Sequence, residues 1–150
     1  MNEDRGLYQF NPSAELMEEI RQLEDLRRNT RDFLLAGGLL AGHSDGELSA
    51  EEHDRLVVAL EPLYDDPAAE IVRLESPSVA IELLNASMAW LAEHGGQRRL
   101  ELYRHLAAIV AVDGELDPGE AAYMQNVAKR LGIPLDQALE MINWELSDGV

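Results

Sequence analysis

Cysteine is absent from this 150-residue chain, which rules out a disulfide framework, a thiolate zinc site and a cysteine nucleophile. Basic residues are scarce, with 12 Lys and Arg against 29 Asp and Glu, of which Lys129 is the one lysine. The net charge of -17 creates a field that repels phosphate backbones, so direct nucleic-acid binding is excluded as an expectation. Long hydrophobic runs are missing too. The most nearly apolar stretch, Phe33 to Gly42, is about half of what a membrane-spanning helix needs. The acidic start Met1-Asn2-Glu3-Asp4-Arg5 has no apolar core of a secretory signal, and a cytoplasmic protein that does not span a membrane is expected. A glycine-rich phosphate loop, a nucleophile elbow and a Ser-His-Asp order are likewise not found, so nothing points to an enzyme.

What the sequence does have is one acidic phrase written twice, 68 residues apart. Asp45-Gly46-Glu47-Leu48-Ser49-Ala50-Glu51-Glu52 returns as Asp113-Gly114-Glu115-Leu116-Asp117-Pro118-Gly119-Glu120, with five of eight positions identical. Each copy follows an apolar run and precedes a helical one. At the same offset Leu35 answers to Tyr103, Leu39 to Ala107, Leu56 to Met124, Ala59 to Val127 and Leu63 to Leu131. Two copies are too few for a solenoid, and packing about a pseudo-twofold axis is expected to bring the two turns toward one end.

Periodicity is helical throughout, so the expectation is an all-α, single-domain bundle of about seven to eight helices built on two pseudo-symmetric helix-turn-helix repeats. Residues 1–12 read as a flexible arm and 13–150 as the helical domain. Ser13 caps a first helix to about Asn29, and a second runs from Thr30 to Gly42, with Gly37-Gly38 either allowing close helix approach or kinking it. Ser49 and Asp117 cap two more, and a short helix is expected from Pro67. Residues 78–94 carry apolar side chains on several faces and are expected to form the central, largely buried helix. Helices over about 97–112 and 135–146, and a stop at Gly132-Ile133-Pro134, complete the reading.

The run Ala107-Ala108-Ile109-Val110-Ala111-Val112-Asp113-Gly114-Glu115-Leu116 to Glu120, with Val127-Ala128-Lys129-Arg130-Leu131-Gly132-Ile133, resembles the signature of the TerB-like tellurite-resistance family. Leu39 to Glu52 is similar to that family's first copy of the phrase, and the resemblance covers roughly residues 30–140. It implies an all-helical fold, a role connected with metal-oxyanion or envelope stress, and a divalent metal held at Asp45, Glu47, Glu52, Asp113, Glu115 and Glu120. The first copy departs from the second in carrying His43-Ser44 where the other has Ala111-Val112.

Chemistry bears separately on the cation. Placed in the register of an EF-hand, Gly114 at position 6 puts Asp113 at 5, Glu115 at 7, Asp117 at 9 and Glu120 at 12, while Gly46 places Asp45 and Glu52 likewise. Positions 1 and 3 are Ile109 and Ala111, or Ala41 and His43, so neither turn alone makes a cage. A weak calcium or magnesium site assembled from both turns stays open, because such cations accept carboxylates from separate segments. Helix architecture competes with this reading. Ser49-x-x-Glu52 and Asp117-x-x-Glu120 match capping boxes, and the glycines suit helix stops. The surplus is Asp45, Glu47, Asp113 and Glu115, which sit near helix C-termini where the macrodipole disfavours an anion by roughly 0.3 to 1 kcal/mol each.

Other expectations are plainer. His43 and His53 with Asp45 offer a zinc alternative. His105 is expected to pack in the core, as are Trp90 and Trp144, and Glu61, Asp65, Asp66, Glu70 and Glu75 read as a solvated face. Two functions remain: a non-enzymatic stress-response module binding a cation through its paired turns, and an acidic adaptor that meets a basic protein partner without metal. A homodimer is compatible with both.

Overall fold

The structure, a computed structural model, describes residues 13–43, 49–74, 76–111 and 116–148. Seven helices are present among them and no strand: α1 Ala14–His43, α2 Ala50–Leu60, α3 Pro67–Arg73, α4 Pro77–His94, α5 Arg98–Val110, α6 Pro118–Arg130 and α7 Leu135–Asp148. The all-α bundle expected from the periodicity is therefore observed. The arm 1–12 lies outside the described residues. No helix among them is long and apolar enough to cross a membrane.

The expected break near Asn29 is not there. Asn29 is buried, and its amide nitrogen donates to the carbonyl of Asp25 one turn back, so the side chain joins the helix instead of capping a new one. With neither proline nor glycine at that point, nothing interrupts the backbone ladder, and α1 runs for 30 residues. Its second half is the axis of the bundle. Phe33, Leu34, Leu35, Ala36 and Leu39 are all buried, against α4 most extensively and also against α2, α5 and α6.

That arrangement overturns the expectation for α4. Ala80, Leu84, Met88 and Leu91 form one buried stripe on α1, whereas Val79 and Ile81 are 45% and 47% exposed. An element laid on the flank of α1 needs only one covered face. The apolar residues on its other side are left at the surface.

Gly37 and Gly38 serve close approach and not a kink. A β-carbon on Gly38 would lie 2.6 Å from Leu56 Cδ1, and one on Gly37 would lie 3.3 Å from Leu106 Cδ2. The glycine pair thus lets α2 and α5 press their leucines against the α1 backbone. Tyrosine hydroxyls fasten the same region: Tyr123 donates to the Gly37 carbonyl at 2.9 Å, and Tyr103 to the Met124 carbonyl at 3.0 Å.

The predicted stop after Leu131 is built as a left-handed cap. Gly132 has φ 75°, its N–H donates to the Lys129 carbonyl and that of Ile133 to the Ala128 carbonyl, while Ile133 itself is buried. Arg99 completes the end of α6 by donating from Nη1 to the Leu131 carbonyl at 2.7 Å.

Two side chains, His105 and Trp144, differ from their expected surroundings. His105 is exposed, because it falls on the face of α5 opposite Leu102, Leu106 and Ile109. Trp144 is 57% exposed on the outer side of α7, whose inward residues are Ala138 and Ile142. Trp90 is half-buried, packs against the core and stands 4.9 Å from the His94 ring.

Candidate functional site

Two equivalent helix starts border the acidic turns. Ser49 precedes α2 in extended conformation, its hydroxyl accepting from Glu52 N–H at 3.1 Å while Glu52 Oε1 accepts from Ser49 N–H at 3.2 Å. Asp117 precedes α6 in the same way: its Oδ1 accepts from Glu120 N–H at 2.8 Å, and Glu120 Oε1 accepts from Asp117 N–H at 3.2 Å, with Pro118 at the first helical position. Both capping boxes expected from the sequence are formed. Each satisfies two of the backbone donors that a helix start leaves over.

Their carboxylates are unlike ordinary caps in one respect. Glu52 is 7% exposed and Glu120 6%, so both side chains sit beneath the surface. Burial, which strips water from the charged form, is the main cause that pushes the Glu120 carboxyl up to about 7. The backbone hydrogen bond from Asp117 opposes the rise, and the nearby charges of Asp117 and Glu52 add to it. The influence of Glu52 on Glu120 means that the starts of α2 and α6 lie within range of each other's charge. Among the described residues neither Glu52 nor Glu120 has a basic group within ion-pairing distance.

Asp45, Glu47, Asp113 and Glu115 lie outside the described residues, as do Gly46 and Gly114. Of the seven expected metal ligands the structure thus locates Glu52, Asp117 and Glu120, all engaged in capping. No group of three acidic or histidine side chains placed to hold a metal occurs among the described residues. For the zinc alternative, Asp45 and the side chain of His43 are outside that set, and His53 stands 3.8 Å from its neighbour Asp54. Along the expected solvated face, Asp66 caps α3 through Ala69 N–H and Glu70 pairs with Arg73, while Glu75 is not described.

The burial of the two glutamates was not anticipated, although a signal for it exists. Glu52, Leu56 and Leu60 recur at four-residue steps, as do Glu120 and Met124, so each Glu shares the inward stripe of its helix. Capping accounts for the residue type, and the four-residue stripe accounts for the face it occupies.

Residues 31–141 match the family described as Tellurite resistance protein TerB. The chain belongs to the TerB family. The match takes in both capping boxes, both acidic turns, the whole of α2 to α6, the second half of α1 and the first half of α7. No curated protein and no solved structure matches this TerB chain significantly. Within the TerB region lie the α1 glycine pair and Tyr123, which seat the two capped helices on α1, together with Tyr103 and the Leu131-Gly132-Ile133 stop.

Proposed function

We propose that this TerB domain is a non-enzymatic stress-response module of the cytoplasm whose paired acidic turns take up a divalent cation of the calcium or magnesium kind. One observation carries the reading: two buried capping carboxylates, Glu52 and Glu120, stand at the starts of the two helices that follow the turns, with no basic partner among the described residues. A carboxylate buried without a basic partner is costly in its charged form unless something positive joins it. The donor set fits a hard cation, since it consists of carboxylate oxygens and contains no sulfur. Asp45, Glu47, Asp113 and Glu115 would supply the ligands, and Glu52, Asp117 and Glu120 would hold the helices that present them. Bound there, the cation would tie the two turns together and neutralise part of their charge.

The test is a calcium titration, repeated with magnesium, of the full chain followed by amide spectra and melting temperature. Saturable shifts at both turns and a rise in melting temperature are expected, because binding to the folded state alone stabilises it. Unchanged spectra at saturating cation, with Asp45→Asn plus Asp113→Asn merely stabilising the chain, would overturn the proposal.

A second reading rests on the net charge of -17: an acidic adaptor surface that meets a basic protein without metal. Its distinguishing result is a complex that weakens with salt and ignores chelator, because exposed charge pairing is screened.

A further inference from the structure

Between α4 and α6, with Leu40 of α1 beside it, lies a cavity of about 480 Å³. That is the size of an ordinary small-ligand site. Its floor is rigid: Leu84, Met88 and Val127 all belong to the packed core. Ile81 forms an apolar rim, nearly half exposed.

One cation borders this apolar space. Arg130, in the last turn of α6, reaches across to α4 and donates from Nη1 to Asn85 Oδ1, and Asn126 lies one turn before it on the same wall. Among the described residues no carboxylate comes within 4.0 Å of Arg130, in a chain where acids outnumber bases by 29 to 12. Nor is Arg130 needed to close the end of α6. The Ala128, Lys129 and Leu131 carbonyls already accept from Ile133, Gly132 and Arg99.

We propose that this cavity binds a small amphiphilic carboxylate, its hydrocarbon part on Leu84, Met88 and Val127 and its carboxylate on Arg130 and Asn126. A guanidinium held by a neutral amide keeps donors for a planar anion, and a two-pronged Arg–carboxylate contact is among the stronger hydrogen-bonded pairs. The apolar floor supplies the remaining free energy through area removed from water. A second copy is the poorer occupant, since each copy carries -17 and the two repel.

Decanoate is the probe, added to the full chain and followed by methyl-resolved NMR, with decyltrimethylammonium as the cation of equal tail length. The overall charge repels anions, so saturable decanoate shifts confined to Ile81, Leu84, Met88 and Val127 are expected only from a local site. Arg130→Gln, an exposed position, should weaken binding about tenfold or more without lowering the melting temperature, and Ile81→Asn should weaken it as well. The proposal falls if shifts are absent or centred elsewhere, if Arg130→Gln binds equally, or if the cationic probe binds the same methyls as tightly. It also falls if those methyls shift with protein concentration alone, which assigns the cavity to a second copy. The same holds if they shift on deleting residues 1–12, which assigns it to the chain's own arm.

Discussion

Leu56 of α2 fills the space above Gly38 of α1, its Cδ1 standing 2.6 Å from where a β-carbon on that glycine would be. Both belong to the most buried part of the molecule, and Leu56 has no exposed surface. Gly38→Ala therefore forces α2 outward or Leu56 off its rotamer, and is expected to lower stability by about 1 to 3 kcal/mol despite the better helix propensity of alanine. Gly37→Ala, facing the Leu106 methyls at 3.3 and 3.4 Å, should be far milder, because the propensity gain of roughly 0.5 to 1 kcal/mol offsets a small shift. Urea unfolding of the two variants checks the contrast, and equal effects would mean that the helix approach is not limited by Leu56.

The second prediction concerns pH. The folded chain holds a proton on Glu120 up to about pH 7, while the unfolded chain releases it near the ordinary carboxylate value of 4.5. Between those values the native state binds more protons than the unfolded one, so this group's contribution to stability is full below pH 4.5 and is lost as pH rises through 7. Glu120→Gln keeps an acceptor for Asp117 N–H and removes the charge. The variant should be more stable than the parent at pH 8, and the difference should vanish toward pH 4.5. Melting temperatures across that range would decide it, and a parent advantage at pH 8 would contradict the burial cost.

The capping boxes give the third. Ser49→Ala and Asp117→Ala each remove the acceptor for the third helical N–H and are expected to cost about 1 kcal/mol apiece. Glycine at either position should cost only a few tenths. Chemical denaturation reads the series. An alanine effect no larger than that of glycine would show that the caps are replaced by water.

The fourth tests the tyrosine fastenings. Tyr103→Phe and Tyr123→Phe keep the rings and delete hydroxyls bonded to the Met124 and Gly37 carbonyls, so losses of about 1 kcal/mol each are expected. Tyr64→Phe, whose hydroxyl donates to Asp32 Oδ1 at a half-buried site, should cost less as water replaces the contact. Calorimetry on the three variants gives the order.

Much of this fold can be read locally. Ser49-x-x-Glu52 and Asp117-Pro118-x-Glu120 announce helix starts through residues three apart, and Leu131-Gly132-Ile133 announces a stop through one left-handed glycine, so these devices are visible without a neighbour. What decides whether an apolar or polar side chain is covered is the partner across the interface. Trp144 and His105 sit among apolar neighbours in sequence yet face outward, and Val79 and Ile81 are bared because α4 meets α1 along a single stripe. The run through Asn29 was hidden for a related reason: an asparagine caps or spans a helix according to whether its amide finds the carbonyl a turn behind. Of the expected site, Glu52, Asp117 and Glu120 take the roles of capping, and the depth of the two glutamates depends on which face of each helix is laid against the bundle.

The continuity of α1 has a bearing on how the molecule opens. Its buried stretch from Phe33 to Leu39 is shared by partners from both halves of the chain, Leu56 before the midpoint and Leu106 and Tyr123 after it. Neither half can release that stretch while the other remains seated. Amide hydrogens there should exchange only through whole-molecule unfolding, whereas those in residues 14–28, none of which is buried, should exchange by local opening of the helix's first half. A single helix would then span the slowest and among the fastest clocks in the protein.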